Sequence, residues 1–404
     1  MSLPSSVQLL YPKVHAVLPN GFQRHPFKDT ILCTDTTAAL GNKSSPFVAT
    51  HPSFLALLGP APSVRVLAAQ DRSFAHEAGV WVPTHDGAGE VWFTSNLYDG
   101  PTRSDGLRER TVEVSRINLG TGKVNPVQLP VYGGNGACPY GDYLLFCDQG
   151  AGRGVPSALT LVDPSNPADV RPILNNFHGR AFNSLNDVIV LPPRSTEDLP
   201  GSGEAESSRL PARGSTVWFT DPTYGHEQGF RHTPELPSQV YVFNPETGDI
   251  RAVADGFDHP NGICFSPDGK TCYVTDTAHI RGCGTLDPHK PSTIYAFDVV
   301  WPGVDLDIGG PSLQNRRLFA FADCGVPDGI KCDTLGNVYS GCGDGVHVWN
   351  KYGTLVGKIV LGLADDNIGA GCANFCFVPG GKLVCFAENR IYLVEGLAVE
   401  GALL

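Results

Sequence analysis

The sequence has 404 residues, of which 41% are hydrophobic and 17% charged, so it can bury a full core and is neither disordered nor collagen-like. Its formal net charge of −12 argues against a nucleic-acid partner, because phosphate binding needs clustered Lys and Arg. No apolar run is long enough to span a membrane, and the start MSLPSSVQLL lacks the features of a signal peptide. The sequence therefore predicts a soluble protein with no membrane partner, cytoplasmic rather than secreted.

Several of the twelve cysteines lie inside hydrophobic, strand-like runs: Cys264, Cys272, Cys332 and Cys385. This placement predicts buried thiols rather than a disulfide framework. Cys372 and Cys376 form one C-x-x-x-C pair without the second cysteine or histidine pair of a zinc site. The cysteines therefore give little indication of zinc.

Six copies of a strand–turn–strand pattern follow one another along the chain. They begin at His76, Gly134, Leu185, His259, Val326 and Ala373. The fourth and fifth copies, HPNGICFSPDGKTCYVTD and VPDGIKCDTLGNVYSGC, share one plan in which PNG becomes PDG. Most copies continue into two more strand-like segments, such as SQVYVFNPETGDIRAVAD, and almost no stretch has a helical hydrophobic period. Six units of four antiparallel strands predict an all-β fold, a six-bladed β-propeller.

Segment 63–70, SVRVLAAQ, can pair with NRIYLVEG of the last copy and close the ring of blades. Closure removes the exposed edges that an open sheet would leave. Residues 1–62 are then predicted to be an N-terminal extension packed on the propeller, and residues 63–404 a single catalytic propeller domain. Within this domain, residues 194–214 are polar and rich in Gly and Ser, which predicts a loop insertion without chemistry.

A carboxylate or amide opens the first strand of every copy: Glu77, Asn135, Asn186, Asn261, Asp328 and Asn374. First strands line the channel of a propeller, so these side chains would form a ring at one mouth. Alternatively, Asn and Asp only begin strands because they are good turn residues, although this does not explain Glu77. Converging oxygens repel one another unless a cation neutralises them, and calcium prefers such ligands. The ring predicts a calcium site, with another divalent cation as the alternative.

The second strand of each copy returns to the same mouth, where the copies read Ser95, Asp148, Asp221, Asp276, Gly341 and Glu388. Two interpretations of these carboxylates stay open, namely contact with substrate or a second ion, and structural hydrogen bonds to neighbouring blades. We expect substrate contacts from Asn135, Asp221 and Tyr224. Histidines near these ends, such as His76, are interpreted as surface or packing residues. With no convergent imidazole or sulfur, the site is expected to accept zinc poorly.

Five motifs occur in order between about residues 74 and 360: FAHEAGVW, FNSLNDV, VWFTDPTYG, PNGICFSPDGKTCYVTDT and PDGIKCDTLGNVYSGCGDGVHVWN. In these motifs the chain resembles the gluconolactonase family of six-bladed propellers, which includes regucalcin-like proteins and, more distantly, paraoxonases. Within the family it most resembles the fungal lactonohydrolases that open aldonate and pantoyl lactones. The resemblance implies a divalent metal, usually calcium, at the positions of Glu77, Asn186, Asn261 and Asp328.

The chain departs from its relatives at two places. Regucalcin-like proteins carry an Arg before the Asn-Asp pair, where this chain has Ser184-Leu185. Paraoxonases place a histidine after the second blade's hairpin, where this chain has Asp148-Gln149. Neither the Arg-based recognition of a sugar-acid lactone nor a histidine base therefore transfers to this sequence.

The sequence and the resemblance together predict a calcium-dependent hydrolase that opens or closes the ester ring of a small lactone. Asp328 is the first candidate to accept a proton from water, followed by Asp148 and Asp276. Two alternatives remain. A quinoprotein-type sugar dehydrogenase would need a basic and aromatic cradle for its anionic quinone, and a non-catalytic propeller would bind a protein partner at its rim.

Overall fold

The computed structural model describes residues 3–9, 45–85, 87–102, 104–152, 154–193, 209–301, 310–361 and 371–402, and these form a six-bladed β-propeller. Each blade is an antiparallel sheet of four propeller strands. From the channel outwards, blade 1 consists of Glu77–Val82, Glu90–Thr94, Val114–Asn118 and Val124–Val127. Blade 2 consists of Gly134–Tyr140, Tyr143–Asp148, Ala158–Asp163 and Asn166–Leu174. Blade 3 consists of Val188–Leu191, Thr216–Asp221, Gln239–Phe243 and Ile250–Ala254. Blade 4 consists of Pro260–Phe265, Thr271–Asp276, Thr293–Val300 and Ser312–Phe321. Blade 5 consists of Ile330–Cys332, Val338–Cys342, Gly345–Trp349 and Leu355–Val360. Blade 6 consists of Asn374–Val378, Lys382–Ala387, Arg390–Leu397 and Leu58–Ala69. The predicted fold class is confirmed.

The sixth blade is built from both ends of the chain. Strand Leu58–Ala69 pairs antiparallel with Arg390–Leu397, with Ser63 opposite Glu395. The first strand of the sixth blade in turn contacts the first strand of blade 1. The predicted closure of the ring by segment 63–70 is confirmed.

Several short elements lie outside the six blades. Phe47–Ala49 pairs with the outer strand of blade 5, and Val7–Leu9 pairs with Phe47–Ala49. The remaining elements are the 3-10 helix Pro52–Leu57, the hairpin Tyr98–Thr102 with Arg108–Thr111, the hairpin Asn176–Phe177 with Arg180–Ala181, and the α-helix Tyr224–Glu227. Within the described residues, no helix combines the length and hydrophobicity needed to cross a membrane.

Two of the predicted segments fall partly outside the described residues. Residues 10–44 of the predicted extension lie outside them, as do residues 194–208 of the predicted polar insertion. The division at residue 62 stays a prediction.

The core consists of hydrophobic layers between neighbouring blades. Trp92 and Phe146 belong to one cluster that joins blades 1 and 2. Trp218 of blade 3 packs edge-on against Phe265 of blade 4, with ring centroids 5.2 Å apart. Alternate residues of a strand face opposite sides of its sheet, so each sheet contributes to two layers. The described cysteines apart from Cys283 are buried, as predicted, and most of them lie in these layers.

The glycine that follows a ring residue allows adjacent blades to approach closely. A Cβ on Gly262 would lie 2.5 Å from the backbone oxygen of Asp328, and one on Gly329 would lie 2.2 Å from Asn374 Oδ1. Asn261 itself lies inside the strand Pro260–Phe265 rather than in a turn. The repeated glycine of PNG and PDG therefore serves packing between blades at the mouth.

We predict that Gly262→Ala destabilises the protein, because the backbone of the next blade cannot move away from the new methyl group. Overpacking of this kind costs about 1–3 kcal/mol. The apparent melting temperature should fall clearly below that of the wild type. Gly154→Ala is the control, because a Cβ there meets nothing within 4 Å. Equal melting temperatures for the two variants would contradict the packing role.

Candidate metal and active site

Hydroxyl groups fix the backbone at the mouth by bonding from one blade to the next. Thr220 Oγ1 donates to the carbonyl oxygen of Asn261 at 2.7 Å, and Thr275 Oγ1 donates to that of Asp328 at 3.1 Å. Each threonine lies one residue before the end of a second strand, and each acceptor lies within two residues of the start of the first strand of the following blade. These bonds set the spacing between the ring residues of blades 3, 4 and 5.

The six oxygen-bearing residues of the predicted ring all lie at the start of a first strand or within two residues of it. Asn374 Nδ2 donates to Glu77 Oε2 at 2.6 Å, and Asn135 Oδ1 accepts the following backbone N–H at 2.9 Å. In contrast, Asn186 Oδ1 and Asp328 Oδ1 are buried and have no hydrogen-bond partner in the described part of the chain. Buried oxygens without a partner are rare in folded proteins, and a bound ion is one way to satisfy them.

The closest group of ionisable side chains at the mouth consists of His76, Glu77 and Asp328, whose potential ligand atoms lie within 4.8 Å of one another. Burial and the Asp328 charge raise the pKa of Glu77 to about 8. Burial raises the pKa of Asp328 to about 6, although the positive charge of His76 opposes the shift. Burial alone would lower the pKa of His76, but Glu388 and the two carboxylates raise it to about 10. The group thus concentrates negative charge that requires a proton or a cation.

Glu388 of blade 6 holds His76 from the side opposite Glu77. His76 Nδ1 and Glu388 Oε1 are 2.6 Å apart, and Asn96 Nδ2 donates to both Glu388 oxygens at 3.2 and 3.1 Å. Glu388 and Ala78 both have left-handed backbone conformations, with φ of 60° and 68°. Such conformations are costly for residues other than glycine and cluster at functional sites.

Sequence reasoning had placed His76 among the surface or packing residues. Its partner Glu388 is 312 positions away in the chain. The sequence contained one indication that Glu388 differs from its counterparts, because it is a Glu at the position where three other copies have Asp.

Asp148, Asp221 and Asp276 occupy one position, at the end of the second strand of blades 2, 3 and 4. Each accepts two backbone N–H groups from the loop that leads into the first strand of its own blade, at 2.9 to 3.1 Å. Burial raises the pKa of Asp148 and Asp276, and that of Asp221 to about 7, while the backbone hydrogen bonds oppose the shift. This geometry favours the structural interpretation of these three carboxylates.

Tyr224, in the short helix after blade 3's second strand, lies beside the ring. Its hydroxyl group bonds to Thr277 Oγ1 and to the side chain of Asn261. Its ring stacks on His259, with centroids 4.7 Å apart. His259 Nε2 is in turn 3.0 Å from Glu227 Oε1, in the same helix as Tyr224. These contacts hold the phenol next to a predicted metal ligand.

A cavity of about 350 Å³ lies between the hairpin inserted in blade 1 and the loop that follows the Tyr224 helix. The backbone N–H of Arg108 in the hairpin donates to the Gly229 carbonyl at 2.8 Å. The cavity is lined by Asp105, Gly106, Leu107, His226, Gly229, Arg231, His232 and Thr233. It offers space for a small molecule next to His226 of the Tyr224 helix, and none of the predicted ring residues lines it.

The residues at the mouth fit a divalent cation. They provide two close carboxylates, Glu77 and Asp328, and a buried amide oxygen of Asn186 that lacks a partner. Carboxylate and amide oxygens are the donors that hard divalent cations take. The fold and the site thus define a six-bladed β-propeller with a cluster of carboxylates at its mouth.

Comparison with known proteins finds a family match in the chain. Residues 209–382 match the model described as the SMP-30/Gluconolactonase/LRE-like region. A lactonohydrolase of Aspergillus oryzae, oryL, is 30% identical over 333 residues, which are 78% of this chain and 66% of that protein. A gluconolactonase of Zymomonas mobilis is 25% identical over 225 residues, or 54% of this chain and 51% of that protein. The chain thus spans just under two thirds of the first relative and about half of the second.

The fold also matches a solved structure, that of the gluconolactonase XC5397 from Xanthomonas campestris. The two chains are 25% identical, with a TM-score of 0.61 over 87% of this chain and 95% of the other.

We predict that the metal-free protein loses stability as the pH rises from about 4.5 to 8, and that Glu77→Gln reduces this loss. The folded-state pKa of Glu77, about 8, lies above its ordinary value of 4.5, so the folded state binds more protons than the unfolded state throughout this window. Stability therefore decreases with rising pH, and His76 contributes with the same sign from about pH 6.5 upwards. Melting curves in chelator at several pH values test this. An equally steep pH dependence in Glu77→Gln would contradict it.

Proposed function

We propose that this protein is a divalent-cation-dependent hydrolase that opens, or closes, the ester ring of a small lactone such as an aldonate or pantoyl lactone. The observation that carries the proposal is the approach of the Glu77 and Asp328 carboxylates beside unpartnered buried oxygens at the propeller mouth. The match of residues 209–382 to the SMP-30/Gluconolactonase/LRE-like region, and relatives named lactonohydrolase and gluconolactonase, support the reaction class.

The residues that would hold the cation are Glu77, Asn186, Asn261 and Asp328. Calcium suits the oxygen ligands of this set, and other divalent cations are alternatives. When bound, the ion would polarise the ester carbonyl and stabilise the negative charge that develops on its oxygen. The protein itself holds the donor atoms close together. It does so through the hydrogen bonds that Thr220 and Thr275 make between blades and through the close approach of blades at Gly262 and Gly329.

Asp328 is the proposed proton acceptor. Its Oδ1 atom is buried and has no partner, and burial raises its pKa to about 6, which makes it a stronger base than an ordinary aspartate. A water molecule would attack the carbonyl carbon and give its proton to Asp328. The ring C–O bond then breaks, and the departing oxygen takes up a proton, which yields the open hydroxy acid. Asp148 and Asp276 are weaker candidates, because backbone N–H groups already occupy their oxygens.

Tyr224 is positioned to orient the substrate. Its ring is fixed by the stack on His259, and its hydroxyl lies beside Asn261. Together with Asn135 it would contact the polar atoms of the lactone, with the neighbouring cavity receiving the ring substituents. Asp221 contributes indirectly, because it holds the loop that leads into blade 3.

We expect turnover of at least one γ- or δ-lactone, followed by the drop in pH that ring opening causes. Exhaustive chelation should abolish the activity, and calcium should restore it, because an uncompensated Glu77–Asp328 pair cannot stabilise the transition state. Full activity in chelator would refute cation dependence. Metal binding without turnover of any lactone would favour a non-catalytic propeller.

We predict that Asp328→Asn lowers both calcium affinity and turnover. The change preserves side-chain volume and recreates the PNG sequence of blade 4, but it removes one negative ligand and the proposed base. Loss of a general base costs about 10² to 10⁴ in rate. Asp268→Asn, in the exposed hairpin turn of blade 4, is the control and should behave like the wild type. Normal turnover of Asp328→Asn at saturating calcium would make Asp328 a ligand only.

A further inference from the structure

The imidazole of His76 has its two nitrogens in different surroundings. Nδ1 is 2.6 Å from Glu388 Oε1, so it donates its proton to this carboxylate. Nε2 is on the side of the carboxylate pair, 3.9 Å from Glu77 Oε1. When a metal ion displaces the proton from Nε2, the lone pair of this nitrogen becomes available at the mouth, while Nδ1 keeps the proton that it donates to Glu388. Which nitrogen is protonated thus follows from the contact with Glu388.

Glu388 is itself held in place for this role. Asn96 Nδ2 donates to both carboxylate oxygens of Glu388. The side-chain oxygen of Asn96, Oδ1, accepts the backbone N–H of Leu97 at 2.7 Å. The backbone of Glu388 adopts the left-handed conformation that brings the side chain to His76. A histidine that binds a metal almost always donates its other ring N–H to such an oriented acceptor. This arrangement occurs here at the mouth.

The distances fit one ion. Ligand atoms that lie about 2.0–2.6 Å from a common ion are at most about 4–5 Å apart. The ligand atoms of His76, Glu77 and Asp328 meet this limit, since all lie within 4.8 Å of one another. Glu77 reaches the group from blade 1, together with His76, and Asp328 reaches it from blade 5.

We propose that Nε2 of His76 is a ligand of the metal ion, alongside Glu77 and Asp328, so that the site combines nitrogen with oxygen donors. The inference rests on the metal site of the proposed function and deepens it. Imidazole suits zinc and similar transition-metal ions, whereas calcium takes oxygen. The site should therefore bind Zn²⁺ more tightly than an oxygen-only ring would. The competing interpretation is a protonated His76 that acts as a counter-ion to the carboxylates and never contacts a metal.

Pulsed electron paramagnetic resonance separates the two interpretations. Chelator-treated full-length protein is loaded with one equivalent of Mn²⁺, and the spectrum is examined for modulation from a directly coordinated ¹⁴N nucleus. The wild type should show it, and His76→Gln should lose it. His259→Gln is the matched control, because His259 is a buried histidine near the mouth that bonds to Glu227 instead. This variant should keep the signal.

Calorimetric titrations supply a second readout that is independent of turnover. His76→Gln should lower Zn²⁺ affinity by more than about 100-fold and Ca²⁺ affinity by much less. Glu388→Gln should keep the nitrogen signal but lose about 10- to 100-fold in Zn²⁺ affinity, because the histidine is less well oriented. Circular dichroism checks folding, and His76→Asn replaces His76→Gln if the latter misfolds.

Oxygen-only coordination of Mn²⁺ in the wild type, or a nitrogen signal that survives in His76→Gln, would overturn the inference and leave the proposed lactonase intact. Failure of the wild type to bind Mn²⁺, Zn²⁺ and Ca²⁺ would instead remove the metal site on which both proposals depend.

Discussion

Two carboxylates, the buried Glu77 and the partly buried Asp328, are brought within a few ångströms of each other from blades that are far apart in the chain. Like charges in a buried setting raise each other's pKa or bind a cation, so this contact demands compensation. The scaffold enforces the contact through hydrogen bonds between blades, one to the backbone of Asp328 and one to the carboxylate of Glu77. Thr275 bonds to the backbone of Asp328, and Asn374 bonds to Glu77. Charge at the mouth is therefore a property built into the ring.

Closure of the ring connects this site to the ends of the chain. Blade 6 is completed by Leu58–Ala69, and it contributes both Asn374, which bonds to Glu77, and Glu388, which bonds to His76. An open ring would leave two of the strongest contacts at the mouth without support. The strand Leu58–Ala69 thus supports the site, although none of the residues of this strand lies in the site.

The repeats explain what the sequence could predict. Repeated strand–turn–strand copies predicted six blades, the ring of oxygen-bearing residues and the closing strand, because these features recur or depend on hydrophobic pattern. What could not be predicted is where the side chain of one copy takes a different partner from its counterparts in the other copies. The aspartates at the end of the second strands look alike in sequence, yet Asp148 and Asp276 turn to their own loops. Glu388 takes a left-handed conformation and faces blade 1 instead, and no spacing rule connects it to His76. The expectation of poor zinc binding rested on the absence of an imidazole, and His76 changes that premise.

The charge distribution at the mouth also bears on the release of product in the proposed reaction. A lactone is neutral, whereas the hydroxy acid that ring opening produces is an anion at neutral pH. Glu388 and the buried Asp187 add negative charge around the pair formed by Glu77 and Asp328, and Asp187 raises the pKa of Asp328. With a cation bound, this surplus is partly neutralised, so a carbonyl can approach. A free carboxylate product would still meet the acidic side chains that surround the ion and be repelled by them. The same acidic residues that attract the ion would thus favour release of the open acid. They would also disfavour binding of the multiply anionic quinone that a sugar dehydrogenase of the quinoprotein type needs.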